Sequence, residues 1–243
     1  MKYLKTALVA SILTTAAGTT MADGAVIKDG YVFEQNKLIP TGARAEVGTT
    51  GYGGAIQWTA SPYVGLSLGY NGGNISWRDD LSVNGTKYDV DMDNNNVYLN
   101  AEIRPWGTSD NRWAQGTYFA AGVAYLDNDY DLSQRSKDGN VKLNGTNYSY
   151  NGELRGQMNY KNNIAPYVGV GIAPKFSKNW GVFGEIGAYY TGNPTVNLDA
   201  DGTFINANGG SAEADLKAEQ QKIANDDKYA WMPVGKVGVN FYW

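Results

Sequence analysis

Arg44 with Glu46, and Glu102 with Arg104, stand two residues apart, while Glu185 and Lys236 each sit in a stretch where apolar and polar residues alternate. A spacing of two puts both members on one face of a β-strand. The chain of 243 residues has no His and no Cys. That excludes a Ser-His-Asp or Cys-His nucleophile, imidazole acid/base catalysis, thiolate zinc sites and disulfides. The chemistry left to these six groups is electrostatic: they can attract and pass a charged solute, or neutralise one another. No close carboxylate pair stands apart from them, so we expect no enzyme, no cofactor and no metal. Asp89, Asp91 and Asp93 open like a calcium loop, but the sixth position is Asn94 instead of Gly and the twelfth is Asn100 instead of Glu, which rejects an EF-hand.

The elements that must position these groups are strands. From Pro40 onward, period-two alternation broken by turn residues marks eight stretches: 42–49, 52–59, 63–79, 86–105, 113–133, 154–175, 180–197 and 229–243. Asn84-Gly85 is a two-residue hairpin signal, because both positions tolerate positive φ. Connections at 60–62, 106–112 and 176–179 are short, whereas 134–153 and 198–228 are long and polar. Residues 211–224 favour a short surface helix, read as loop filler. An even strand number with short turns on one side and long loops on the other is the pattern of an antiparallel transmembrane β-barrel with both termini periplasmic. Mean hydropathy is −0.42, and no apolar run of about eighteen residues offers a transmembrane helix.

Residues 1–22 run from Lys2 and Lys5 through an apolar stretch to Thr20-Met21-Ala22, the order of a secretory signal peptide. Residues 23–39 would form a periplasmic segment and 40–243 the barrel. Loss of Lys2 and Lys5 would take the net charge from −4 to −6, which argues against a nucleic-acid partner.

Trp58, Trp106, Trp113 and Trp180 lie beside the short turns, where an aromatic girdle meets the membrane interface. The last strand alternates Val237, Val239, Phe241 and Trp243 with Lys236, Gly238, Asn240 and Tyr242, and its final aromatic belongs to the apolar face. That ending resembles the terminal signal read by the barrel assembly machinery. A soluble lipocalin-like barrel is the alternative. Charge on the lipid face costs about 2–4 kcal/mol at mid-bilayer, so Arg44, Glu46, Glu102, Arg104, Glu185 and Lys236 are expected inside as a lumen constriction, with Asn100. Inner-face Gly53, Gly65, Gly69, Gly122, Gly169, Gly171, Gly187 and Gly238 would leave room there, with Trp and Tyr kept toward the rims. Eight strands enclose little more than their own side chains. Two readings stay open: a structural plug of ion pairs, or a gate whose pairs exchange when a small cationic or zwitterionic solute enters. Asp79, Asp80, Asp89, Asp91, Asp93, Asp127, Asp129 and Asp131 would draw cations to the outer mouth, or serve only as solvated loop charge. Outer-membrane lipids and lipopolysaccharide are the expected surroundings.

The runs Gly42-Ala-Arg-Ala-Glu-Val-Gly-Thr-Thr-Gly-Tyr-Gly-Gly54, Asn96-Val-Tyr-Leu-Asn-Ala-Glu-Ile-Arg-Pro-Trp106, Ala121 to Asp131, Lys178 to Glu185, Tyr189 to Val196 and Pro233 to Val239 carry a further resemblance. The chain resembles the CarO family, the carbapenem-associated outer membrane proteins of Gram-negative bacteria, over nearly the whole segment after residue 22. The resemblance implies an eight-stranded barrel acting as a porin for small solutes, notably basic amino acids such as ornithine, whose loss accompanies carbapenem resistance. The chain departs from the family mainly in 134–153 and 198–228. The narrowness of eight strands stands against a wide water channel. A closed barrel that presents its loops to partners is the competing function.

Overall fold

The computed structural model describes residues 39–83, 86–135, 140–160, 162–205 and 211–243. The expected signal peptide, and the 23–39 segment except Ile39, lie outside the described residues. So does Asn84-Gly85, although the pairing of Val83 with Thr86 on either side leaves a two-residue connection.

The fold is all-β, with antiparallel pairing throughout. Strands β1 (Gly42–Gly48), β2 (Gly51–Ser61), β3 (Val64–Val83) and β4 (Thr86–Ile103) follow one another in a meander. After them come helix α1 (Arg112–Gly116) and strands β5 (Thr117–Leu126), β6 (Asp129–Arg135), β7 (Asn140–Leu143), β8 (Thr146–Tyr160), β9 (Ile164–Ile172), β10 (Trp180–Tyr190) and β11 (Pro194–Ile205). Helix α2 (Ala212–Asn225), a 3₁₀ turn and β12 (Trp231–Tyr242) complete the chain. The pairings β1–β2, β2–β3, β3–β4, β4–β5, β5–β9, β9–β10, β10–β12 and β12–β1 make a hydrogen-bonded circuit that returns to its start.

Three of the expected long strands are each interrupted. Strand pairing pauses at 127–128, 162–163 and 191–193 and resumes beyond with the same neighbouring stretches: β6 continues on β4 in the register of β5, while β6–β8 and β8–β11 resume the β5–β9 and β9–β10 pairings with register shifts of one and two residues. These strands and the upper part of β3 rise beyond the circuit as an open sheet. Two further expectations need correction. Residues 113–116 begin not as strand but as α1, because the Asn111 side chain accepts from the N–H groups of Trp113 (2.9 Å) and Ala114 (3.2 Å), a helix cap. The stretches 134–153 and 198–228 are not plain loops, since β7 and the start of β8 occupy part of the first and the end of β11 part of the second. Asn144 (φ 49°) and Gly145 (φ 87°) make the tight turn between β7 and β8.

The outward face of the circuit is apolar and exposed: Ile56, Leu66, Leu68, Val97, Leu99, Phe119, Val123, Val168, Val170, Ile186 and Val237. An apolar belt this continuous belongs in lipid. Aromatic rings fringe it at both ends. Near the turns, Trp180 packs on Phe241 with ring centres 4.9 Å apart, and exposed Trp106, Trp113 and Trp243 stand nearby, with Trp58 half-buried. Near the open sheet, Tyr190 packs on Trp231 at 5.0 Å, and Tyr52, Tyr70 and Tyr125 are exposed. The eleven residues of β10 from Trp180 to Tyr190 match a belt about 25 Å tall once tilt is allowed for. Inside, polarity changes with height: charged and amide groups fill the circuit, whereas Leu126, Tyr130, Leu132, Met158, Val196 and Leu198 line the open sheet and pack with Ile223 of α2. The helix is thus no exposed filler, for Ile223 and Glu219 are fully buried.

Candidate functional site

All six expected constriction residues are inside. Arg44, Glu46, Glu102, Arg104, Glu185 and Lys236 are each at most 5% exposed. Strand alternation does this directly, since the lipid-facing neighbours Ala43, Ala45, Leu99, Ala101, Ile186 and Val237 take the other parity. Arg104 lies just past the end of β4 and turns inward beside Glu102.

Five of the six form two groups, and Glu46 stands apart from both. In the first, Glu102 lies between two guanidinium groups: Arg44 Nη2 is 3.0 Å from Oε1, and Arg104 Nη2 donates to Oε2. Ser67 donates a weak hydrogen bond to Oε1 at 3.4 Å, and Arg44 Nε donates to Asn240 Oδ1 at 2.9 Å. Arg44 also stacks over the Phe183 ring at 4.0 Å. In the second, Glu185 is 3.0 Å from Lys236 Nζ and accepts from the hydroxyls of Tyr118 and Tyr167, both at 2.7 Å. Lys236 Nζ lies 4.3 Å from the centre of the Tyr98 ring. Arg44 Nη2 and Lys236 Nζ are close to their carboxylates but outside hydrogen-bond angle. Coulomb attraction holds them, without the directional bond that would lock one geometry. Glu46 accepts from Tyr98 at 2.7 Å and makes no ion-pair contact among the described residues.

The inner glycines do not leave open space, and tyrosines are not confined to the rims. Tyr98, Tyr118, Tyr148, Tyr150, Tyr167 and Tyr189 are fully buried. A Cβ on Gly69 would lie 2.3 Å from Tyr98 Cζ, one on Gly171 2.3 Å from Tyr118 Cζ, and one on Gly187 2.4 Å from the Tyr167 hydroxyl. Each glycine is a slot for a ring whose hydroxyl reaches a lumen carboxylate. The pattern is visible in the sequence only as a Tyr and a Gly on paired inner positions, so reading Tyr as a rim residue missed it. Lys175, 7% exposed, was also missed: the expected strand 154–175 ends at Ile172, and Lys175 lies in the turn beyond, with its Nζ 3.7 Å from the Tyr242 ring centre.

The expected acidic mouth divides. Asp89, Asp91, Asp93, Asp127, Asp129 and Asp131 are exposed, and Asp91 pairs with Asp131 and Asp93 with Asp129 across β4 and β6, on the outward face of the open sheet. Asp127 and Asp129 also border a small polar cavity at the break between β5 and β6. Asp79 and Asp80 lie on the backbone of β3 where its register shifts, with side chains outside the described set. Among the described residues no cluster of His, Cys, Asp or Glu is spaced to hold a metal.

No protein-family model and no curated protein matches the chain. Solved structures do. The chain is similar to CarO of Acinetobacter baumannii, with 64% identity and a TM-score of 0.76 over 86% of this chain and 100% of that one. It is similar to CarO2 of the same species, with 62% identity and a TM-score of 0.76 over 84% and 99%. With identity at that level over almost the whole of both structures, and a lipid-facing belt around an antiparallel sheet, the chain belongs to the CarO family of outer-membrane proteins of Gram-negative bacteria.

Proposed function

We propose that the closed circuit is an eight-stranded membrane-spanning barrel, with both termini periplasmic, that passes small basic or zwitterionic amino acids such as ornithine through its lumen. The observation that carries this reading is the buried network of three acids and three bases, two of whose ion pairs lie off hydrogen-bond angle. A zwitterion brings one charge of each sign. It can take over a guanidinium from Glu102 with its carboxylate and a lumen carboxylate with its ammonium, so that no charge is stranded while the pairs exchange. Carbapenems belong to the same reading as slower solutes, because fused rings need Tyr98 and Tyr118 to leave their slots. Lipid and lipopolysaccharide surround the belt, and β12 with its terminal aromatic is the segment offered to the assembly machinery. Catalysis is no part of this role.

Liposome swelling with purified protein tests it. Ornithine should swell the vesicles several-fold faster than aspartate, and equal, negligible rates would overturn the proposal. The tyrosine-filled glycine slots favour a second reading, a closed barrel that serves as a scaffold for its outer sheet. On that reading Glu102→Gln and Arg104→Gln alter thermal stability and leave permeability untouched.

A further inference from the structure

Glu46 begins a row of inward positions that crosses three neighbouring strands: it pairs with Gly53, Gly53 with Asn71, and Asn71 with Asn96. Paired residues in an antiparallel sheet share a face, and Glu46, Asn71 and Asn96 are 5%, 2% and 1% exposed. All three carry buried oxygens without a protein partner, namely Glu46 Oε2, Asn71 Oδ1 and Asn96 Oδ1. Leaving such groups unmatched costs about 1–3 kcal/mol each, more for the charged one. Between Glu46 and Asn71 the row crosses Gly53, where a Cβ would meet the Tyr70 carbonyl oxygen at 1.8 Å, so only glycine lets the Asn71 side chain lie across that strand. The Asn71 oxygen lies 2.7 Å from where a Cβ on Gly53 would stand, leaning over the glycine toward Glu46, whose Cα is two strand spacings away, about 10 Å. The other Glu46 oxygen is already fixed by Tyr98.

We infer that the row Glu46–Asn71–Asn96 is a binding subsite for a primary ammonium group. Three N–H donors on one cationic nitrogen match one carboxylate oxygen and two amide oxygens. A divalent metal would call for more carboxylates than this row supplies. Of the three lumen acids, Glu46 is the one that makes no ion-pair contact among the described residues, whereas Glu102 is shared by two arginines and Glu185 is paired with Lys236. The row ends beside the break between β5 and β6. Asn96 pairs with Leu126, which lines the polar cavity at the β5–β6 break. There Asn95, next in the chain to Asn96, donates through its N–H to Asn128 Oδ1 (3.1 Å) and through its side chain to Asp127 Oδ2 (3.3 Å). The subsite deepens the amino-acid channel reading and rests on the lumen being a solute path, because it would bind the ammonium end of the solute while Arg44 faces its carboxylate.

The test is titration of propylammonium chloride into ¹⁵N-labelled protein in micelles, following the side-chain amide signals of Asn71 and Asn96. The wild type should show saturable shifts at both. Glu46→Gln should weaken binding at least tenfold, while neutral 1-propanol and sodium chloride at matched ionic strength should give no saturable shift. No saturation in the wild type, equal saturation in Glu46→Gln, or the same response to sodium would overturn the inference. If Glu46→Gln does not give the compact form on an unheated gel, Asn71→Leu keeps the carboxylate, and binding weakened several-fold is the supporting result; unchanged binding overturns it. Liposome swelling separates this from the channel reading. Glu46-dependent propylammonium binding in a barrel that does not swell with ornithine keeps the subsite and removes the channel, and swelling without propylammonium binding does the reverse.

Discussion

At Glu102 one buried carboxylate serves two buried guanidinium groups, so its charge matters more than its shape. Glu102→Gln keeps the volume and strands Arg44 and Arg104, and we predict a loss of about 3–5 kcal/mol, read from urea unfolding in lipid vesicles by tryptophan fluorescence. A loss below about 1 kcal/mol would mean that solvent already screens the three. Tyr98 and Gly69 make a second residue-scale claim. Gly69→Ala should cost about 1–3 kcal/mol in the wild type, by pressing on the Tyr98 ring, and close to nothing in a Tyr98→Ala background. Equal costs in both backgrounds would place the strain in the backbone instead. The inward direction of all six charges was legible from alternation alone, because a wrong parity would have put ions into lipid. Tyrosine obeys no such rule, since its ring suits either the rim or the lumen, and only the glycine across the strand pair marks which.

Helix α2 holds the outer sheet through one turn. Asp215 accepts from the Tyr148 hydroxyl at 2.5 Å and from Asn144 Nδ2 at 3.0 Å, Glu219 accepts from the Asn144 N–H at 2.6 Å, and Lys222 donates to Asn144 Oδ1. The hydrogen bonds from Tyr148 and then Asn144 hold the Asp215 carboxyl below the ordinary carboxylate range. The folded-state pKa is therefore depressed. The stability it contributes is complete above the unfolded value near 4 and is lost as pH falls through the lower folded value. Amide exchange in α2 should accordingly accelerate on acidification below about pH 4, and Asp215→Asn should remove that step; a step that persists in the variant would assign it to another group. On the outward face of the same sheet, Asp91 opposes Asp131. Asp131→Lys should stabilise the β4–β6 pair by about 0.2–1 kcal/mol in thermal unfolding, and no change would mean that salt already screens the two charges. The breaks at 127–128, 162–163 and 191–193 were not legible in the sequence, because alternation continues across them and the neighbouring stretches stay paired on either side with shifts of no more than two residues. Asn144-Gly145 was legible, as a repeat of Asn84-Gly85, but stood inside a stretch whose polarity read as loop.

The described residues form a lipid-facing belt around a charged interior, continued at one end by an open sheet whose inner face is apolar and by helix α2. The apolar belt and the aromatic rings at its ends followed from period and turn chemistry. The filling of the lumen did not, because it depends on which rings fall into which glycine slots across strands distant in the chain. On the channel reading proposed above, the interior of three acids and three bases selects solutes by charge. Glu102→Gln changes the sum of those six charges from zero to plus one without altering the strand frame. The most direct test is the ratio of ornithine to aspartate swelling rates in liposomes carrying the wild type or this variant. The wild type should favour ornithine several-fold and the variant should move the ratio toward aspartate, whereas a ratio identical in the two, or no permeation by either solute, would contradict a charge-selective lumen.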